Sequence, residues 1–188
     1  MSSYEEHLDL IEGCGVAPGL GAVGQNWQIE QNPRELAQFL VACEQLGVHS
    51  ILEIGTGEFG GLARLLYTYL HWSVTSIDHR TPLHESGRFI LGESGDADVY
   101  TQVKDQRFDL VFIDAEHTDY AVKRDYEWYA PLATKLVALH DIAEGREGTQ
   151  GVVWFWNELR KRHRFHSGGE IIDPNHPIGI GYYEVAYE

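Results

Sequence analysis

The sequence predicts an α/β fold in which a doubly wound, mostly parallel sheet of seven strands carries helices on both faces. Strand and helix patterns alternate along the chain from residue 34 onward. The strongest strand pattern, residues 108–114 (FDLVFID), is apolar on both faces, as expected of a central parallel strand. The chain has 188 residues, of which 43% are hydrophobic, so one packed core is expected without disulfides.

Individual elements follow from the spacing of apolar residues. Pro33 and Gly47 flank the first helix pattern, as start and stop residues of a helix do. We predict helices over residues 34–46, 61–70, 118–129 and 150–163. We predict strands over residues 50–54, 73–78, 88–92, 108–114, 136–140, 170–172 and 179–185.

The chain divides into residues 1–33 and a single domain over residues 34–188. Glycines and Pro18 are concentrated between residues 13 and 24, so the first part is predicted to be a flexible N-terminal cap segment. A cap that closes over a site and an unstructured leader are equally consistent with this composition.

Charge excludes several classes of partner. The chain carries 14 Lys and Arg against 29 Asp and Glu, for a net charge of −15. Such a surface repels phosphate backbones and anionic membranes, so we expect neither nucleic acid nor a membrane as partner. The N-terminus lacks an apolar signal core, and Cys14 and Cys43 have neither zinc nor redox spacing. We therefore expect free thiols and a cytoplasmic location.

A glycine turn follows the first strand. Gly55, Gly57 and Gly60 match G-x-G-x-x-G, and Asp78 ends the next strand 23 residues after Gly55. Glycines let the backbone approach a ligand closely, and an acid at this position accepts hydrogen bonds from a ribose diol. The pattern predicts a nucleotide-type cofactor site, but it does not separate a nicotinamide nucleotide from S-adenosylmethionine.

Acids in and before the turn favour the methyl donor. Glu53 lies at the tip of the first strand and Glu58 lies inside the turn. A pyrophosphate is disfavoured beside carboxylates, whereas a sulfonium with its own ammonium group is favoured. Two alternatives remain open at this point, a nicotinamide-nucleotide-binding protein and a non-catalytic, cofactor-binding accessory or scaffold protein.

Two later motifs are more specific. Residues 112–120 read FIDAEHTDY, and residues 138–142 read ALHDI. With the glycine turn, they resemble the class I S-adenosylmethionine-dependent methyltransferases of Rossmann-like fold over residues 34–160. Within that class they are similar to the small-molecule O-methyltransferases of the cephalosporin hydroxylase-like and macrolide-sugar O-methyltransferase-like group. The resemblance implies an enzyme that O-methylates a small hydroxylated molecule.

The resemblance also implies a set of cofactor contacts. Glu53, Gly55 and Gly57 would border the methionine part, and Asp78 would hold the ribose hydroxyls. Glu93 and Ser94 would lie beside the adenine. The full implied set is Glu53, Gly55, Thr56, Gly57, Asp78, Glu93, Ser94 and Asp114.

Catalytic and metal-binding roles fall on the same motifs. The resemblance makes His117 the general base, with Asp114 beside the cofactor amine or a divalent metal, and it implies Asp114, His140 and Asp141 as metal ligands. An imidazole in that set disfavours magnesium and leaves manganese, zinc or no metal open. The alternative for His117 is a cap of the next helix, and for His140 and Asp141 it is helix capping and loop hydrogen bonding.

The helix predicted over residues 150–163 contains Trp154 and Trp156. Residues two apart on a helix cannot both face the core, so one of them is left to contact a substrate or a second copy of the chain. A homo-oligomer is compatible with this arrangement.

Overall fold

The computed structural model describes residues 2–14, 29–84, 86–162 and 167–185, and it contains the seven strands expected from the sequence. Their positions agree with the predicted ranges to within one residue, except that the fifth strand begins three residues and the sixth two residues earlier than expected. The strands are β1 (Ser50–Ile54), β2 (Ser73–Asp78), β3 (Arg88–Leu91), β4 (Phe108–Ile113), β5 (Ala133–His140), β6 (Gly168–Ile171) and β7 (Ile180–Glu184).

The helices in the described part of the chain include all four that the sequence predicts and two that it does not. The two additional helices are α1 and α4, and a 3₁₀ turn at Ala130–Leu132 follows α5. The helices are α1 (Tyr4–Cys14), α2 (Pro33–Gln45), α3 (Gly61–Thr68), α4 (Ala97–Thr101), α5 (Asp119–Tyr129) and α6 (Gln150–Arg162).

The sheet has the strand order β3-β2-β1-β4-β5-β7-β6. β1, β2, β3, β4 and β5 pair in parallel, whereas β7 is antiparallel to both β5 and β6. This confirms the mostly parallel, doubly wound sheet. The strand order reverses between β1 and β4, so the carboxyl ends of these strands are where a ligand is expected.

The core lies on both faces of the sheet because side chains alternate along each strand. On β4, Phe112 packs against the cluster that contains α2 and α3, and Val111 packs against the cluster that contains α5 and α6. Trp156 is buried in the second cluster, whereas Trp154 on the same helix is exposed. The expectation that the two tryptophans point in different directions is confirmed.

Hydrogen bonds of Asn32 and Glu35 fix the first turn of α2. Asn32 caps this helix by accepting from the backbone N–H groups of Arg34 and Glu35. The buried Glu35 carboxylate accepts backbone N–H groups from the loop between β6 and β7, including Gly179 at 2.8 Å. These bonds tie the start of α2 to the loop between β6 and β7.

Part of the N-terminal segment is helical. α1 packs against α2 and buries Ile11, while residues 15–28 of the predicted cap lie outside the described residues. Cys14 and Cys43 are buried and free, as expected. No helix among the described residues has the length and apolar character needed to cross a bilayer.

Candidate active site

The turn after β1 is built so that its backbone can approach a ligand. Gly55 has a φ of +87°, and its N–H donates to the carbonyl of Ile77 at 2.8 Å. A Cβ at this position would collide with the backbone carbonyl of Asp114. Both the left-handed conformation and the close packing therefore require glycine here.

Asp78 binds the turn directly. Its Oδ2 accepts the backbone N–H groups of Thr56 at 3.0 Å and Gly57 at 3.1 Å, and its Oδ1 accepts that of Arg80 at 2.9 Å. The carboxylate also lines the main cavity. Asp78 thus fixes the glycine turn at the place where the resemblance puts the ribose.

Glu53 lies beneath the turn. Its Oε2 accepts the Thr56 hydroxyl at 2.6 Å and the Ser76 hydroxyl at 2.8 Å. Burial raises the pKa of Glu53 to about 7, against the lowering effect of these two hydroxyls. Glu53 is not among the residues that line the cavity, so the structure places it as a support for Thr56 and the turn.

A cavity of about 520 Å³ lies at the carboxyl ends of β1, β2 and β4. This volume is in the range of small-molecule cofactor sites. Its wall brings together the predicted Gly55, Gly57, Asp78, Glu93 and Ser94, together with Asp114. Most of the cofactor-binding residues predicted from the sequence therefore lie in the wall of one cavity.

The charge of this cavity is strongly negative. Burial, followed by the nearby Asp114 and Glu58 carboxylates, raises the pKa of Glu30 above its ordinary value. Such a wall favours a cationic ligand and disfavours a pyrophosphate. The carboxylates that line it are Glu30, Glu58, Asp78, Glu93, Asp114 and Glu116.

The far end of the cavity is tied to α5. The Ser94 hydroxyl donates to Asp125 Oδ2 at 2.9 Å and accepts from Arg124 at 2.9 Å, while the Tyr129 hydroxyl donates to the Ser94 carbonyl at 2.7 Å. The single hydroxyl proton of Ser94 is therefore used inside the protein. Any hydrogen bond that Ser94 donates to an adenine would have to come from its backbone.

Asp114 and His140 meet where β4 and β5 end. His140 Nδ1 lies 3.1 Å from Asp114 Oδ1 and 3.4 Å from Asp141 Oδ2. Burial alone would lower the pKa of His140, but Asp114 and Asp141 raise it to about 10. Against the effect of burial, His140 and His117 hold the pKa of Asp114 well below its usual range. His140 and Asp114 therefore form a buried ion pair.

His117 extends this cluster towards solvent. Its Nε2 lies 3.2 Å from Asp141 Oδ2 and 3.8 Å from Asp114 Oδ1, and the Asp114 contact raises its pKa. Thr118, not His117, caps α5, because the Thr118 hydroxyl accepts the N–H of Ala121. The capping alternative for His117 is thus excluded.

Asp141 has a φ of +61°, a left-handed conformation that is uncommon outside glycine. It pairs with His117, His140 and Arg146, and it lies well before Gln150, where α6 begins. Asp141 does not cap a helix, and the capping alternative for this position is wrong. A conformation of this kind at a cluster of ionisable groups is typical of functional sites.

Gln31 joins the cluster from the segment before α2. It is 5% exposed, its Nε2 donates to Asp114 Oδ2 at 2.9 Å, and its buried Oε1 has no hydrogen-bond partner. A small cavity of about 290 Å³ lies here. Gln31 and Arg146 are not predicted from the sequence, because both reach the site from loops that carry no recognisable motif. The residues around the small cavity include Gln31, Gly55, Thr56, Asp114, His117, His140, Asp141 and Arg146.

Comparison with known families settles which class of protein carries this site. Residues 26–142, well over half of the chain, match the family described as methyltransferase domain. The chain belongs to the methyltransferase domain family. It is an S-adenosylmethionine-dependent methyltransferase of the class I type, and the nicotinamide-binding alternative is set aside. No curated protein sequence matches this methyltransferase.

Solved structures share the fold of this methyltransferase at low sequence identity. An O-methyltransferase from Bacillus cereus, in complex with SAH, superposes with a TM-score of 0.62 at 18% identity, covering 99% of this chain and 92% of that chain. The O-methyltransferase TomG from Streptomyces achromogenes, in complex with SAM, has a TM-score of 0.56 at 18% identity, covering 98% of this chain and 89% of that chain.

A third structure is the MycE methyltransferase of the mycinamycin biosynthetic pathway, in complex with Mg and SAH. It has a TM-score of 0.55 at 17% identity and covers 81% of this chain. This methyltransferase corresponds to only 49% of the MycE chain. At these identities the three structures establish the shared fold.

Proposed function

We propose that this methyltransferase transfers the methyl group of S-adenosylmethionine to a hydroxyl oxygen of a small molecule. The observation that carries the proposal is the position of His117. Its imidazole lines the small cavity, with Nε2 facing Asp114 and Asp141, and Ala115, two residues before it, lines both the small cavity and the main one. A proton acceptor thus stands beside the place where the methyl group would be presented.

The main cavity accounts for cofactor binding. We propose that the glycine turn at Gly55 and Gly57 lies against the methionine part and that Asp78 binds the ribose hydroxyls. The adenine would lie against Glu93 and the backbone of Ser94. Thr56 and Glu53 hold the turn in place from below. The negative wall favours the sulfonium and ammonium charges of the ligand.

The chemistry is an in-line displacement. The neutral His117 imidazole takes the proton of the acceptor hydroxyl, and the oxygen forms a bond to the methyl carbon as the carbon–sulfur bond breaks. The products are a methyl ether and S-adenosylhomocysteine, and the proton passes from His117 to solvent. Asp114 and Asp141 stabilise the imidazolium that forms. Holding the methyl donor and the acceptor in line lowers the activation free energy by about several kcal/mol.

The cluster also fits a divalent metal. One ligand atom each from Asp114, His140 and Asp141 lies within 4.8 Å of the others, and the buried Gln31 Oε1, which has no hydrogen-bond partner, belongs to the side chain that donates to Asp114. Mixed imidazole and carboxylate ligands suit manganese or zinc better than magnesium. A bound metal would supply Lewis-acid activation of the acceptor oxygen. Binding requires His140 to lose its proton, because only the neutral imidazole is a ligand.

We also propose a cytoplasmic location. The buried free thiols of Cys14 and Cys43 suit a reducing compartment. The net charge of −15 supports a small-molecule acceptor rather than nucleic acid or a membrane surface.

Calorimetry combined with a product assay tests the proposal. We expect S-adenosylmethionine to bind and NAD not to bind, with S-adenosylhomocysteine formed from phenol- or sugar-type acceptors. Tight NAD binding without S-adenosylmethionine binding would contradict the cofactor assignment. Cofactor binding without product from any hydroxylated acceptor would favour the non-catalytic accessory protein.

A further inference from the structure

An open groove of about 760 Å³ lies on the solvent side of His117. One wall is the loop from Ala115 to Asp119, and the other is the start of α6, including Gln150 and Trp154. Ala115 and Glu116 also line the cofactor cavity. The groove therefore leads from solvent to the proposed base and to the cofactor cavity.

Trp154 is the main apolar surface of this groove. It is 49% exposed, whereas Trp156 on the same helix is 2% exposed. Trp154 and Gln150 also line an adjoining hollow of about 490 Å³ on the side of Glu144 and Glu147. A large, flat, half-exposed indole between two hollows is a surface that a ligand can cover.

Charge restricts what that ligand can be. The hollow is also lined by Arg146, but its guanidinium is already paired with Asp141. Anionic ligands would be repelled here, and a cation would gain from both the carboxylates and the indole face. The carboxylates that line the groove and hollow are Glu116, Asp119, Glu144 and Glu147.

We infer that this groove is the acceptor site and that Trp154 selects the acceptor. The acceptor class is a neutral or cationic hydroxylated molecule with a flat apolar face that lies on the indole of Trp154. Phosphorylated, carboxylated and coenzyme A-linked acceptors are disfavoured. The inference rests on the proposed function, because it requires the hydroxyl of the bound molecule to reach His117.

Three probes with the same dihydroxylated ring test the charge rule. Catechol is neutral, dopamine is cationic and 3,4-dihydroxybenzoate is anionic, and each is titrated by calorimetry into the protein saturated with S-adenosylhomocysteine. We expect dopamine and catechol to bind the wild type, and 3,4-dihydroxybenzoate to bind about tenfold more weakly than catechol or worse. Equal or tighter binding of the anion, or no binding of any of the three probes, would overturn the inference.

Variants at Trp154 test the stacking surface. Trp154→Ala should weaken dopamine binding about tenfold, and Trp154→Phe should restore most of it, because phenylalanine keeps a flat face. Tyr67→Ala is the control, since Tyr67 is an equally exposed aromatic on α3 and outside the groove. Unchanged binding in Trp154→Ala would remove this residue from the site. S-adenosylhomocysteine formation by the wild type separates failure of this inference from failure of the proposed function. Product formed from any hydroxylated acceptor keeps the proposed function, even where the three probes or the Trp154 variants contradict the inference.

Discussion

The Nδ1 of His140 lies 3.1 Å from the Oδ1 of Asp114, across the ends of two paired strands. The contact follows from register, because Ile113 on β4 pairs with Leu139 on β5 and the next residue of each strand continues the alignment. The buried carboxylates raise the pKa of His140 to about 10, although burial alone would lower it. His140 is therefore a charged partner of Asp114, and the more exposed His117 is the better placed proton acceptor.

Replacement of His117 tests its role as base. We expect His117→Ala to lower turnover about tenfold or more, because general-base catalysis contributes about that much or more. Cofactor affinity should stay within the error of calorimetry. The measurement is the initial rate of S-adenosylhomocysteine formation, with His49→Ala as a control for an exposed histidine at the opposite end of β1. Unchanged turnover would show that another group takes the proton.

Metal binding tests the donor set at Asp114. We expect the protein to bind Mn²⁺ about tenfold or more tightly than Mg²⁺, because the cluster includes an imidazole. Calorimetry in two buffers of different ionisation enthalpy should show that a proton is released on binding. Asp114→Asn should weaken Mn²⁺ binding, whereas Glu116→Gln, in the neighbouring cavity wall, should not. Preference for Mg²⁺, or equal binding by the Asp114→Asn variant, would contradict this ligand set.

Substitutions at two glycines with nearly the same φ distinguish the cost of backbone strain from the cost of a steric collision. Gly55 and Gly145 have φ values of +87° and +89°, but an added Cβ collides with Asp114 only at Gly55 and has open space at Gly145. We expect Gly145→Ala to cost about 1–2 kcal/mol in the free energy of unfolding, and Gly55→Ala to cost roughly 2 kcal/mol more. Urea unfolding measures both. Equal losses would mean that the turn after β1 relaxes to accept a side chain.

Glu53 should make stability depend on pH. Its pKa is about 7 in the folded protein against an ordinary 4.5, so the folded state holds this proton more tightly than the unfolded state. The contribution of Glu53 to the free energy of unfolding is therefore fully present below pH 4.5 and is lost as the pH rises through about 7. Glutamine at this position has no proton to lose. We therefore expect the free energy of unfolding of Glu53→Gln, relative to that of the wild type, to rise by about 3 kcal/mol between pH 4 and pH 8.

Urea unfolding at several pH values measures this difference for Glu53→Gln. Glu12→Gln removes the same charge from an exposed position of α1 and serves as the control. A stability difference between Glu53→Gln and the wild type that stays constant with pH would show that the Glu53 carboxyl titrates normally.

The sequence predicts the parts of the site that lie on strand ends. Asp78, Asp114 and His140 follow apolar strands, and parallel strands bring their carboxyl ends to one edge, so their proximity can be expected from order alone. The contacts of Gln31 and Arg146 depend on the conformations of loops, and hydrophobic periodicity carries no information about those. α4 was missed because five residues are too few to show a helical period.

The Glu53 carboxylate points into the protein and not towards the cavity. Its place at the end of β1 was predicted, but whether its carboxylate faced the ligand or the interior depended on side-chain hydroxyls from two other positions, Thr56 and Ser76. Distant residues that supply partners for a buried acid are not recognisable in a single sequence. The strand and its turn could be predicted, and the direction of this one side chain could not.

α5 lies between the two ends of the proposed site. Its later turns hold Ser94 through Asp125 and Tyr129, and the residue before its cap is His117. Inserting one residue within α5 would turn its two ends by about 100° relative to each other, at 3.6 residues per turn. Such a change would separate the adenine end from the proton acceptor without altering any side chain of either. The length of α5 therefore fixes the spacing between Ser94 and His117, the two ends of the proposed site.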